Sequence, residues 1–186
     1  MPVDTLGPTL LFALACNLDT VLLAAGYSLS GCPLPGRGVP VIAAATTGIT
    51  ILALFLGAGA APLLAPATAG ALGRVVLAGM GLWFLLDALR RPVPAEPGLE
   101  KVEAGMLGLI SLSAALGVNN AGAGVAAGLG GLSPLWGGAA NFFVTLAALA
   151  LGRRLGRLAA ETAVGRWAQA ASGALLLLLA LLGARL

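Results

Sequence analysis

Asp19 is a carboxylate inside an otherwise apolar stretch, LACNLDTVLLAAGYSLSG (14–31), with Asn17 and Thr20 beside it. A second stretch, AALGVNNAGAGVAAGLGG (114–131), carries Asn119 and Asn120 as its only strongly polar side chains. Sliding one over the other sets Asp19 on Asn119, Thr20 on Asn120 and Gly31 on Gly131. The identities are few, but both segments carry their polar groups at the same depth, where an unpaired polar group is costly in lipid. One carboxylate, the amide oxygens of Asn17, Asn119 and Asn120 and the Thr20 hydroxyl would make an all-oxygen cluster, the ligand set that Mn²⁺, Mg²⁺ and Ca²⁺ select. Asn141, in a later apolar segment, is a further candidate ligand. The chain has no His and its two Cys are far apart in expected depth, which disfavours a tetrahedral zinc site.

Each residue also has a structural reading. Asp19 can be a protonated acid that fixes packing, and Asn119 and Asn120 can be polar glue between helices. Asn141, Thr46, Thr47 and Thr50 suit local backbone caps or interhelical bonds, and Asp87 precedes Arg90 and Arg91 at a helix end, where an interfacial ion pair is the ordinary role. Cys16 reads as small apolar filler and Cys32 as a loop residue; a straight helix would hold them about 24 Å apart, too far for a disulfide. No Walker, GxSxG or HExxH sequence occurs, so neither ATP-driven nor hydrolytic chemistry has a visible home and no enzyme activity or tightly bound cofactor is expected.

The elements that must position these residues are membrane helices. The 186-residue chain is 59% hydrophobic and 9% charged, with a mean hydropathy of +1.02, outside the range of soluble domains. Its apolar runs reach about 20 residues, the length that spans about 30 Å of hydrocarbon. They lack the period-two alternation of barrel strands and are rich in Leu, Ala and Gly. The net charge of +3 comes from bases gathered at segment ends, which suits membrane topology better than nucleic acid. No Lys or Arg precedes the first segment, so it is predicted to remain attached rather than to act as a cleaved signal.

The fold expected is all-α: a polytopic integral membrane protein with six transmembrane helices, at 7–30, 39–60, 72–89, 104–130, 134–151 and 166–182. The proline-rich RRPVPAEPGLEKVE divides a first three-helix repeat (1–89) from a second (104–186), leaving a linker at 90–103. Gly73-Arg74 opens the third helix as Gly165-Arg166 opens the sixth, and Gly81 falls on Gly173. Because three is odd, the second repeat enters from the opposite side, giving the inverted topology that many secondary transporters use. The side reached after the first, third and fifth helices holds Arg37, Arg90, Arg91, Lys101, Arg153, Arg154, Arg157 and Arg166, whereas the other holds Arg74 and Arg185. The positive-inside rule then puts the linker in the cytoplasm and both termini outside the cell membrane.

These residues resemble the manganese efflux pump (MntP) family, and more closely its YtaF branch of sporulation membrane proteins. The resemblance rests on Asn17-Leu18-Asp19-Thr20 with Gly26-Tyr27-Ser28-Leu29, on Val118-Asn119-Asn120 with Gly122, Gly124 and Gly128, and on Gly81-Leu82-Trp83. It implies Mn²⁺ export by alternating access of the two repeats, with Asp19 binding the ion and the amides replacing its water. Asn119 departs from the acid usual in the second repeat, and losing that charge weakens attraction for a divalent ion. Two other roles stay open: a non-transporting membrane assembly or sporulation-related protein, and an exporter of a small organic solute. The partners expected are the lipid bilayer and a divalent metal ion, with no nucleic acid, and a homodimer is compatible with the sequence.

Overall fold

Leu, Ala and short polar residues in long runs without internal charge leave the backbone no hydrogen-bond partners but its own, so these runs close into helices. A computed structural model describes residues 3–29, 34–90, 106–155 and 163–182. It contains seven α-helices and, among the described residues, no strand. They are α1 (Val3–Ala15), α2 (Leu18–Leu29), α3 (Gly38–Ala60), α4 (Pro66–Arg90), α5 (Met106–Leu129), α6 (Pro134–Leu155) and α7 (Ala163–Leu182). A 3-10 turn, Ala61–Leu63, follows α3. Of the linker at 90–103, Arg90 closes α4 and 91–103 lie outside the described residues, as do Cys32 and Arg157 and the side chains of Asp87, Asn119 and Arg166.

The largest departure from the expected pattern is in the first segment. In place of one helix over 7–30 the chain forms α1 and α2, with 44° between Leu6–Ala15 and Leu18–Ala25. Smaller differences lie at helix ends: α4 begins at Pro66, because a proline is at ease in a first turn, and α6 continues to Leu155 through Arg153 and Arg154. By length and composition α3 with its following turn and α6 can each cross a membrane, and the bent pair α1–α2 is long and apolar enough to do so when its two parts are counted as one span.

The surface supports that assignment. Leu52, Phe55 and Leu56 of α3, Val75 and Trp83 of α4, Phe143 of α6 and Leu181 of α7 are all exposed, whereas Asn17, Thr20, Thr46, Thr50, Asn141 and Thr145 are buried. Apolar outside and polar inside is the distribution expected where the solvent is lipid.

Helix directions follow from contacts between named residues. Thr47 and Ile51 of α3 meet Asn141 and Gly138 of α6, so these two run antiparallel. Gly117, Gly124 and Gly128 of α5 face Ile49, Ala53 and Leu54 of α3 in the same order, so α3 and α5 run parallel. Asn17 bonds Asn141 and Gly152 meets Val21 and Ala24, which makes α2 and α6 parallel as well. Gly73 and Met80 of α4 meet Ala126 and Gly122 of α5 in reverse order.

Glycine makes the parallel pairs possible. A Cβ on Gly57 would lie on the carbonyl oxygen of Val125 and 2.8 Å from the Leu129 nitrogen, and one on Gly128 would lie 2.9 Å from the Ala58 nitrogen. Backbones this close gain dispersion contacts where lipid offers no hydrophobic drive between helices. At the end of α5 the Leu132 amide donates to the Ala127 carbonyl and the Gly131 amide to Gly128, with Gly131 at φ +89°. This Schellman closure turns the chain tightly into α6.

Gly57→Ala is therefore expected to separate α3 from α5 and to destabilise the protein by about 1–3 kcal/mol. Gly59→Ala, with nothing within 4 Å of the added carbon, should be neutral or stabilising by up to about 1 kcal/mol. Unfolding of the purified protein in detergent compares the two, and equal losses would contradict the close approach.

Candidate functional site

The site begins with one backbone carbonyl. The Cys16 amide still donates to Phe12, but the Asn17 amide donates to Leu14 at 3.1 Å, one residue short of the α-helical partner. That shift leaves the Ala13 carbonyl without its usual donor, and the Asn17 Nδ2 takes it at 2.8 Å. A side chain inserted into the backbone ladder is a recognised cause of a sharp helix bend. The regular ladder resumes when Val21 donates to the Asn17 carbonyl.

Asn17 is 2% exposed and Asn141 is fully buried. The second Nδ2 proton of Asn17 goes to Asn141 Oδ1 at 2.9 Å. Thr145 Oγ1 donates to Asn17 Oδ1 at 2.6 Å and shares its single proton with the Asn141 carbonyl at 2.7 Å. Asn141 Nδ2 completes the network by donating to Thr47 Oγ1 at 3.2 Å. The orientation of Asn17 is dictated by its surroundings: a flipped amide would turn its oxygen onto the Ala13 carbonyl and Asn141 Oδ1, two acceptors that need a donor. Four neutral side chains from the α1–α2 break, α6 and α3 thus tie three elements together.

Asp19 belongs to the first turn of α2. The break gives α2 its own N-terminus, whose unpaired amides and dipole favour an anion. Its Oδ1 accepts from the Thr20 amide at 2.7 Å and from Thr20 Oγ1 at 3.3 Å. Without such a terminus a carboxylate at mid-membrane is charged about 2.5–3.5 kcal/mol on insertion scales.

Of the candidates read from the sequence, Asn17 and Asn141 meet directly, and Asp19 and Thr20 are bonded to each other. Asn17 makes its side-chain bonds to α6 and to the end of α1. Asn120 is 3% exposed on the α5 face toward α3, one turn from Gly117 and from Gly124, and its side chain has no hydrogen-bond partner among the described residues. The side chain of Asn119 lies outside the described residues. Thr145 was not anticipated, although its spacing of four from Asn141 on an apolar helix puts both on one face. Thr46 and Thr50 donate to the Ile42 and Thr46 carbonyls, back-bonds within their own helix rather than caps.

Chemically the arrangement offers amide and hydroxyl oxygens and the Asp19 carboxylate. Among the described residues no three His, Cys, Asp or Glu side chains cluster. A cation held here would therefore be coordinated by amide, hydroxyl and backbone oxygens around Asp19.

Asn141→Leu removes two interhelical bonds and strands Asn17, so it is expected to destabilise the protein by about 2 kcal/mol or more. Thr46→Val removes only a back-bond within its own turn and should cost less than about 0.5 kcal/mol. Unfolding in detergent tests the pair, and a mild Asn141→Leu would contradict the network. Comparison of the chain with protein-family models, with curated proteins and with solved structures gives no match.

Proposed function

We propose that the protein is an integral membrane transporter that exports a divalent cation, Mn²⁺ as the family resemblance implies, by alternating access of two inverted three-helix repeats. The observation that carries this reading is the helix break at Asn17. It sets the Asp19 carboxylate in the first turn of α2, beside a buried polar network in a largely apolar bundle. Broken helices with a charged group at the half-helix end are how many transporters build substrate sites at mid-membrane. Asn120 adds a buried amide with no hydrogen-bond partner among the described residues.

The pattern of neighbours supports the repeat. We count α1 and α2 as the first span, α3 to α7 as the second to sixth, and exchange the first three with the last three. The pair formed by the first and fifth (α2 with α6) then maps onto the fourth and second (α5 with α3). The third and fourth (α4 with α5) map onto the sixth and first (α7 with α1). The remaining neighbours, α3 with α6 and α4 with α7, map onto themselves. Glycine contacts agree in detail, since Gly57 meets the Val125 carbonyl and Leu129 amide while Gly152 meets the Val21 carbonyl and Ala25 amide. This equivalence sets Val21 on Val125 and Cys16 on Asn120, one helical turn from the slide that sets Asp19 on Asn119.

In this mechanism Asp19 neutralises part of the ion's charge, while Asn17, Thr20 and Asn141 exchange hydrogen bonds for coordination and Asn120 adds its amide oxygen as water is shed. Asn119 is a further candidate at the same level. Bases on the side reached after the first, third and fifth spans put the linker in the cytoplasm under the positive-inside rule, and outward transport is the direction the family resemblance implies. One observation favours a second reading: the second repeat carries Asn119 where exporters of this kind have an acid. A membrane assembly protein that keeps the fold without transport would need no second charge.

Asp19→Asn is expected to abolish Mn²⁺ movement in inverted membrane vesicles, by tenfold or more, with the amount of inserted protein unchanged. Undiminished transport in this variant would remove Asp19 from the mechanism. Absence of transport in the unmodified protein, together with no effect of Mn²⁺ on its thermal stability, would favour the assembly role.

A further inference from the structure

The starts of α1, α4 and α6 and the ends of α5 and α7 meet around a cavity of about 610 Å³ at one end of the bundle. None of Asn17, Asp19, Asn120, Asn141 or Thr145 lines it. Exposed Ser133 and half-buried Arg74 give its rim polar atoms, and a roomy space with polar groups at its mouth admits water. Its floor is different. Leu77, Ala127 and Leu179 close it, and all three are buried.

The same three side chains belong to one packed cluster with Phe12, Ala15, Cys16 and Leu176. Cys16 is the chain neighbour of Asn17, where the polar network starts, so this cluster lies between the cavity and the network. A plug of Phe, Leu and Ala side chains passes neither a hydrated ion nor a column of water, which is how hydrophobic constrictions close a path. Phe12 is fully buried in it. It stands one residue before Ala13, whose carbonyl the Asn17 side chain holds, and the bend between α1 and α2 follows directly. A rotation of α1 about that bend moves Phe12 while α2 and its carboxylate stay in place.

We propose that the cavity is the outer vestibule of the transport path and that Phe12, with Leu77, Leu176 and Leu179, forms a hydrophobic gate, closed in this structure and opened by hinging of α1 at Asn17. The cavity lies on the base-poor side of the chain, which the positive-inside rule puts outside. The inference rests on the transporter reading, but its signature is access from that side to Cys16, which needs no transported ion.

The test uses the full chain in intact cells, with Cys32→Ser so that Cys16 is the single thiol, and a membrane-impermeant methanethiosulfonate reagent in the medium. A second protein carries Ser133→Cys together with Cys16→Ala and Cys32→Ser. The thiol at position 133 is expected to react fast and Cys16 slowly. Phe12→Ala and, separately, Leu179→Ala should raise the Cys16 rate about tenfold or more by favouring the open gate. Leu149→Ala, a truncation of similar kind in the other core cluster, should leave that rate unchanged. A Cys16 rate equal to that at position 133, or an equal acceleration by Leu149→Ala, would overturn the gate, and an unreactive thiol at position 133 would overturn the outer vestibule. Cys16 rates unmoved by Phe12→Ala and Leu179→Ala alongside normal Mn²⁺ export would remove the gate alone, whereas the expected rates without any Mn²⁺ transport would remove the proposed cargo alone.

Discussion

A backbone carbonyl in an apolar environment has to find a donor, and in this protein the Ala13 carbonyl finds one only in the side chain of Asn17. With no water in reach, an unpaired backbone group costs several kcal/mol. The bend between α1 and α2 can therefore exist only where a donor of the right length stands four residues on. Once Asn17 is committed to Ala13, its remaining proton and its oxygen point at α6, and Asn141 and Thr145 are there to meet them. Asn141 passes the constraint to α3 through Thr47, and the glycines of α3 pass it to α5 through backbone contact. Four of the helices are thus placed by a sequence of local satisfactions that starts at one carbonyl.

The same constraint creates the charge site. A continuous first helix would carry Asp19 in mid-helix, where no amide is spare, whereas the break exposes the first amides of α2 and lets the carboxylate face a positive helix end. The polar network next to it is neutral and holds its bonds by geometry alone, so it can rearrange without separating charges. The glycine contacts pair α2 with α6 and α3 with α5 as close units, and the Asn141–Thr47 bond links those two units. In the proposed transporter, movement of one unit against the other would concentrate at this link.

Much of this was legible in the residues. Runs of Leu, Ala and Gly with charge only at their ends specify helices in lipid, and Asp19, Asn17 and Asn141 stand out because polar groups inside such runs need partners. The break was not legible, because Asn17 looks like any amide until its i−4 carbonyl is seen to lack a backbone donor. Thr145 was missed for a similar reason: threonine in an apolar helix usually bonds its own turn, as Thr46 and Thr50 do here, and Thr145 keeps such a bond while also donating to Asn17. The slide that set Asp19 on Asn119 differs by a turn from the one the glycine contacts favour. In a segment made almost wholly of Gly and Ala, a shift of four residues keeps every helix face the same, so sequence alone fixes the face and leaves the depth open.

Alternating access around the Asn17 link is tested most directly by two distances measured in one protein. Labels at Leu63 and Leu135, both well exposed, report the end where α5 turns into α6, and labels at Arg37 and Arg154, also exposed, report the other. Energy transfer between each pair, on a background of Cys16→Ala and Cys32→Ser, is followed as Mn²⁺ is added to protein in lipid nanodiscs. The account predicts that one separation grows while the other shrinks, with the same midpoint in Mn²⁺. Two separations that stay fixed, or that move in the same direction, would contradict it.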